Sequence, residues 1–302
     1  MQHTGFDKRR VAASSIMYLG SGLGGVVFPL LLNALLQSLA FRWTLRIQAA
    51  LQLLGGALVL QLMHARLPLP PSHISALHKS QWRRYLPGSW SPLLSVPGTV
   101  GGLITFLQAS AWTAISLYLS TLCISIGLSE TTANSLLAAY NGSAVLSFLL
   151  VAALADERKV RMSSLMALSS AGCALAAYTL LGFASSLPSV LLFTLLFGVL
   201  GAGFSVAVVW MARAVVERNL RSGKRGKRAG EFTQLSCLYI LIRGLGSTVG
   251  PLIASLLYDA SKADVVDLWG GHGMRRLVIF SGSVMSGVAA LALGFRQQLR
   301  SV

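Results

Sequence analysis

The stretch FDKRRVAASSIMYLGSGLGGVVFPLLLNALL, residues 6–36, decides how the rest of the chain is read. A basic collar of Lys8, Arg9 and Arg10 leads into an uncharged run from Val11 to Ala40, which exceeds the roughly 20 residues a helix needs to cross a bilayer core. Gly20, Gly22, Gly24 and Gly25 break its apolar character with small side chains. The Gly20/Gly24 spacing is the small-xxx-small pattern that lets two membrane helices bring their backbones together. Gly20, Gly22 and Gly25 also match G-x-G-x-x-G, but no strand precedes them and no acidic residue follows at about twenty positions, so the context opposes a dinucleotide site.

Composition points the same way. With 54% hydrophobic and only 11% charged residues, the chain falls among integral membrane proteins rather than soluble domains. A net charge of +16 in a soluble chain would point to nucleic acid. Here the basic residues gather at the ends of apolar runs, where they act as topology determinants, and no nucleic-acid partner is expected. Cys123, Cys173 and Cys237 lie in or beside apolar runs without paired spacing and read as buried small hydrophobes. The five histidines, His3, His64, His73, His78 and His272, fall in polar segments. No metal site, cofactor or catalytic group is expected. The first apolar run is too long for a signal h-region, so it is expected to remain as a helix.

Further apolar runs extend from about Trp43 to Met63, after a short turn at Arg42 and Trp43, and then over Gly98–Leu122, Asn134–Ala155, Ser163–Phe183, Val190–Ala212, Phe232–Leu257 and Leu277–Phe295. The fold class expected is an all-α integral membrane bundle of about eight spans. Between the second and third runs lies a polar segment carrying Pro68, Pro70, Pro71, Pro87 and Pro92, which reads as a linker. The domains expected are therefore 1–63, a linker at 64–96, and a six-helix piece at 97–302. If the start is cytoplasmic, nineteen of the 25 basic residues fall on the inside, five fall outside, and Arg243 is left within a span. That bias obeys the positive-inside rule and puts both termini in the cytoplasm.

The opening phrase resembles the stretch that leads into the fifth helix in the monocarboxylate-transporter-like branch of the major facilitator superfamily, particularly its fungal members. Val11 and Ala12 stand where that branch usually has glycine and leucine. The resemblance implies a truncated form with four helices preceding residue 1, residues 1–63 as the last two helices of an N-terminal half, 64–96 as the central cytoplasmic loop, and 97–302 as a complete C-terminal half. It implies residence in the plasma membrane rather than an organelle. Leu154-Ala155-Asp156-Glu157-Arg158-Lys159 resembles the superfamily's A-D-x-x-[KR] loop. That makes Asp156 and Arg158 a conformational latch, with Lys8 and Arg9 assigned to the same role. The sequence also departs from the branch: where metabolite-transporting members carry an arginine and an aspartate one turn earlier, this chain has Phe148 and Ala144, so proton coupling is not carried over.

Arg243 is the sharpest candidate for contact with a solute. A charge near a helix centre costs at least about 2.5–3.5 kcal/mol on insertion scales, so such residues face a cavity or a partner. Bonding to backbone carbonyls within the bundle is the competing role. Tyr239, Arg243 and Ser247 recur on one face, with Gly246 and Gly250 offering a close-packing surface beside them. Thr105, Gln108, Trp112 and Ser116 form a polar and aromatic stripe on another helix, which suits either a cavity wall or interhelical bonding. Asn141 is a weaker candidate. The substrate-binding set expected is thus Arg243, Gln108, Trp112, Asn141 and Tyr239.

The nine acidic residues lie at helix ends or in loops, which leaves no intramembrane carboxylate for a proton relay or for enzyme chemistry. The function expected is secondary transport of small organic solutes, monocarboxylate-like or other organic anions among them, by alternating access. The partners are the solute and the lipid bilayer. The alternative is a non-transporting membrane receptor or an inactive truncated remnant.

Overall fold

The computed structural model describes residues 10–62, 90–156, 161–221, 228–263, 265 and 267–300. Ten α-helices occur among them: α1 (Arg10–Ser38), α2 (Phe41–Leu62), the one-turn α3 (Ser91–Leu94), α4 (Val96–Ser125), α5 (Glu130–Asp156), α6 (Met162–Ala176), α7 (Leu187–Ala202), α8 (Phe204–Arg221), α9 (Arg228–Leu257) and α10 (Arg275–Arg300). A π-turn, Ala177–Leu181, extends α6, and a short 3₁₀ turn, Ala260–Lys262, follows α9. Eight segments are long and apolar enough to cross a membrane, with α7 and α8 together forming one of them. The protein is an all-helical bundle with eight candidate membrane spans, and the expected fold class holds.

Local chemistry sets several helix boundaries. Ser95 caps α4: its Oγ accepts the Gly98 N–H at 3.2 Å and donates to the Pro92 carbonyl at 2.6 Å, with Pro97 in the first turn. Gly127, at φ 83°, lets the chain reverse after α4. Ser129 receives the Thr132 N–H at the start of α5, and Ser186 with Ser189 forms a capping box ahead of α7. The turn between the first two spans lies at Leu39 and Ala40, so Arg42 and Trp43 already belong to the first turn of α2. The last residues of the expected linker, from Ser91, are helical apart from the cap residue Ser95.

The chain divides into two compact units by packing, one of residues 1–29 with 90–302 and one of residues 30–89. This division cuts α1 at Pro29, unlike the topological one into 1–63, 64–96 and 97–302. In the smaller unit, Thr44 is buried and Arg46 lies over the Trp43 ring at 4.9 Å.

In the larger unit the most extensive pairings are α4 with α9, α6 with α10, and α5 with α7. Buried residues on α10 recur at Val278, Ser281, Met285, Val288, Ala292 and Phe295, the three-and-four spacing of one helix face. On α9 the buried face runs through Leu235, Tyr239, Gly246, Gly250 and Ala254, while Cys237, Leu241 and Leu245 point outward. Cys123 and Cys173 are buried as expected, but Cys237 is exposed because it stands on the face of α9 turned away from α4.

Glycines bring α4 and α9 together. A Cβ at Gly250 would meet the Ser110 Cα at 2.6 Å, and one at Gly246 would meet Ala109 Cβ at 3.2 Å and the Phe106 carbonyl carbon at 3.2 Å. The close-packing surface expected at Gly246 and Gly250 is present. In α1 the contact is made differently from the Gly20/Gly24 expectation. Gly20 has nothing near it and Gly24 meets only Phe28 of its own helix, whereas Gly22 lies against Val145 and Gly25 against Asn141. Residues three apart share that face, and it is the one turned toward α5.

Candidate functional site

Arg243 stands at the middle of α9, half-buried. Its Nη1 donates to Gln108 Oε1 on α4 at 2.6 Å. Gln108 is fully buried, and its Nε2 donates in turn to the Gly201 carbonyl in the last turn of α7 at 2.9 Å. One neutral amide therefore bridges a guanidinium and a helix end, donating at one side and accepting at the other. Tyr18 of α1 and Tyr140 of α5 are near enough to Arg243 to interact with it electrostatically. Among the described residues no carboxylate is paired with it: the ion pairs found there are Arg213–Glu217 and Lys262–Asp259, both outside this centre. No cluster of three metal-ligating side chains occurs among the described residues either.

The wall beside this centre is aromatic. Trp112 packs against Tyr140 with ring centroids 4.5 Å apart and against Phe197 at 5.9 Å, offset geometries that aromatic rings favour. Gly201 allows the close approach, since a Cβ there would lie 2.6 Å from the Trp112 ring. The Tyr140 hydroxyl donates to the Trp112 carbonyl at 3.3 Å. Tyr18 of α1 lies against Phe148 of α5 at 5.6 Å. Asn141 donates to the Leu137 carbonyl of its own helix at 3.0 Å and packs on Gly25.

Of the residues picked out by spacing, Arg243, Gln108 and Trp112 come together around the end of α7, and Asn141 lies next to Tyr140 on the α1-facing side of α5. Tyr239 is fully buried one turn from Arg243, where its hydroxyl donates to the Gly98 carbonyl at 3.0 Å and its ring covers Gly101. It ties α9 to the start of α4. Tyr239→Phe is expected to lower thermal stability by about 1 kcal/mol, the net value of one hydrogen bond, read as a shift in detergent unfolding midpoint.

Thr105 bonds back to the Gly101 carbonyl of its own helix at 2.8 Å, so that part of the α4 stripe is internally satisfied. Phe148 and Ala144, at which the resemblance implied a charged pair in relatives, are buried in the apolar core. Lys8, Arg9 and Arg158 lie outside the described residues, and Asp156 is placed only by its backbone, in the last turn of α5.

Sequence reasoning missed three parts of the centre: Tyr140, Tyr18 and the break at Gly203. The chain from Val190 to Ala212 reads as one apolar span, yet at Gly203 both Val206 and Ala207 donate to a single carbonyl, and α7 gives way to α8. The available signals were two polar residues in sequence, Tyr140 and Asn141, inside an apolar run, and the triplet Gly201-Ala202-Gly203.

Comparison with known proteins agrees with this architecture. The chain is similar to "MFS-type transporter 1" of Ophiocordyceps sp. (strain BCC 1869), 26% identical over 307 aligned positions that cover 99% of this chain and 61% of that protein. It is also similar to the aspyridones efflux protein apdF of Emericella nidulans, 42% identical over 67 residues, covering 22% of this chain and 13% of that protein. The chain thus spans about three fifths of the length of the first of these relatives. No solved structure matches it at significance. The family model described as Major Facilitator Superfamily matches residues 6–251, most of the chain, with six of its eight candidate spans in full and most of the seventh; this chain, a multi-pass membrane protein of a non-enzymatic transporter family, belongs to the Major Facilitator Superfamily.

Proposed function

We propose that the chain serves in secondary transport of small organic solutes, organic anions foremost, by alternating access around Arg243. One observation carries the reading: a guanidinium at mid-span whose hydrogen-bond partner is a neutral amide, with an aromatic wall beside it. A planar fork of donors in a region of low dielectric favours a carboxylate or another planar anion. Trp112 and Tyr140 would cover the apolar body of such a solute, and Asn141 would contact its polar edge. That one relative is named as an efflux protein supports a transport role. The phrase at 6–36 supports placement in the monocarboxylate-transporter-like branch. Asp156 and Arg158, with Lys8 and Arg9, serve as the cytoplasmic latch in this reading.

The test is uptake and counterflow of radiolabelled benzoate and benzamide in proteoliposomes. Saturable benzoate movement blocked by unlabelled benzoate is expected of the protein. Equal, unsaturable permeation of both compounds in protein-containing and empty liposomes sinks the proposal.

The orientation is proposed from charge: 64–96 and 213–231 face the cytoplasm, 259–276 face the other side, and the plasma membrane is the site of action. Ser222→Cys is expected to resist a membrane-impermeant maleimide applied to intact cells and to react after permeabilisation. Labelling of intact cells at that position overturns the orientation.

A further inference from the structure

Gln108 has two jobs that no other side chain of its length performs together. Its carbonyl oxygen accepts from Arg243 at 2.6 Å, and its amide nitrogen donates to the Gly201 carbonyl at 2.9 Å. The carbonyls in the last turn of a helix lack intrahelical partners and carry the negative end of the helix dipole. At the end of α7, side chains from two neighbouring helices meet those carbonyls: Gln108 of α4 on Gly201, and Ser169 of α6 on Leu200. The break at Gly203 is therefore held from both sides. Through Gln108 the guanidinium is joined to that negative helix end without being joined to a carboxylate.

Neutrality at position 108 matters physically. A glutamate there would accept from Arg243 equally well and would cancel its charge at close range, since opposite charges in a low-dielectric interior interact strongly. It would also turn an acceptor toward the Gly201 carbonyl, where a donor now stands. A methionine would fill the same space and make neither bond. The carboxamide alone fixes the direction of the guanidinium, satisfies the broken helix end and leaves the positive charge uncompensated.

We infer that Gln108 is a positioning residue rather than a solute contact: it aims Arg243, keeps its charge available to an anionic solute, and links the occupied guanidinium to the α7–α8 break. This deepens the proposed function and rests on the reading of Arg243 as the anion site. The bond to Gly201 is made by the other end of the amide, so Gln108 stays anchored at the α7–α8 break when solute engages the guanidinium.

The two claims separate experimentally. Purified chain in lipid nanodiscs is titrated with radiolabelled benzoate, and thermal unfolding is followed for Gln108→Glu, Gln108→Met, Arg243→Leu and the double variant Gln108→Glu/Arg243→Leu. Gln108→Glu is expected to weaken benzoate binding at least about tenfold, the equivalent of one charge-assisted contact, and to do so more than Gln108→Met. In unfolding, Gln108→Glu is expected to lower the midpoint less in the wild-type background than in Arg243→Leu, because in the first the new carboxylate has a partner and in the second it is buried alone.

A purely structural Gln108 would give equal loss of binding in the Glu and Met variants, and that result overturns the inference. So does an equal drop in midpoint for Gln108→Glu in both backgrounds. If Arg243→Leu leaves benzoate binding unchanged, or the wild type shows none, the anion reading of Arg243 fails instead, and the unfolding comparison still decides the role of Gln108.

Discussion

Arg243→Ala and Arg243→Lys are both expected to reduce solute transport by at least about tenfold while membrane abundance stays near that of the wild type. The alanine removes the charge. The lysine keeps it but replaces a planar fork with a compact ammonium that cannot donate to Gln108 and a planar anion together in fixed directions. Gln108 keeps its second bond, to Gly201, in either variant, so the α7 end stays held and folding is spared most of the cost. Transport assay and quantitative membrane blotting on the same cells check this. Loss of abundance in step with transport would assign Arg243 to holding the bundle together, the competing role weighed for it from sequence.

Gly250→Val is expected to have the opposite signature, with abundance falling several-fold and any remaining protein melting early. A Cβ at Gly250 would sit 2.6 Å from the Ser110 Cα and 2.7 Å from its carbonyl carbon, so the obstruction is backbone rather than a flexible side-chain tip. The α4–α9 pair would have to separate along its length, and α4 with α9 is the most extensive helix pairing in the larger unit. Overpacking of this kind costs about 1–3 kcal/mol even where neighbours relax. Here the same separation stretches the Arg243–Gln108 bond and the Tyr239–Gly98 bond, which cross the same interface. Gly244→Val, on the outward face of α9 with open space around it, is the control expected to change little. A normal melting curve for Gly250→Val would show that the two helices are not held backbone to backbone.

The positions of the spans were legible because bilayer thickness imposes a length and a polarity that any apolar run either meets or does not. The Gly246 and Gly250 surface was legible too, because small residues at that spacing have few other uses in a membrane helix. The Gly20/Gly24 contact was not. The pattern says which residues permit close approach, but the rotation of α1 against α5 decides which are used, and it uses Gly22 and Gly25. Cys237 was misread for the same reason: hydrophobicity marks a residue for the bilayer interior without saying whether it faces lipid or a neighbouring helix.

The candidate site divides along the same line. Sequence alone determined that Arg243 needs a partner, since an intramembrane charge is too costly to leave without one, and that no carboxylate near the middle of a span is available to serve. Only the tertiary structure decided that the partner is Gln108, residues 135 positions away in the chain, that the same amide holds the broken end of α7, and that Tyr239 is spent on Gly98 instead of facing the centre. Charge and length are properties of single residues and runs, so they can be read along the chain. Hydrogen-bond partners depend on how helices rotate and cross, and that follows from the packing of all their faces at once.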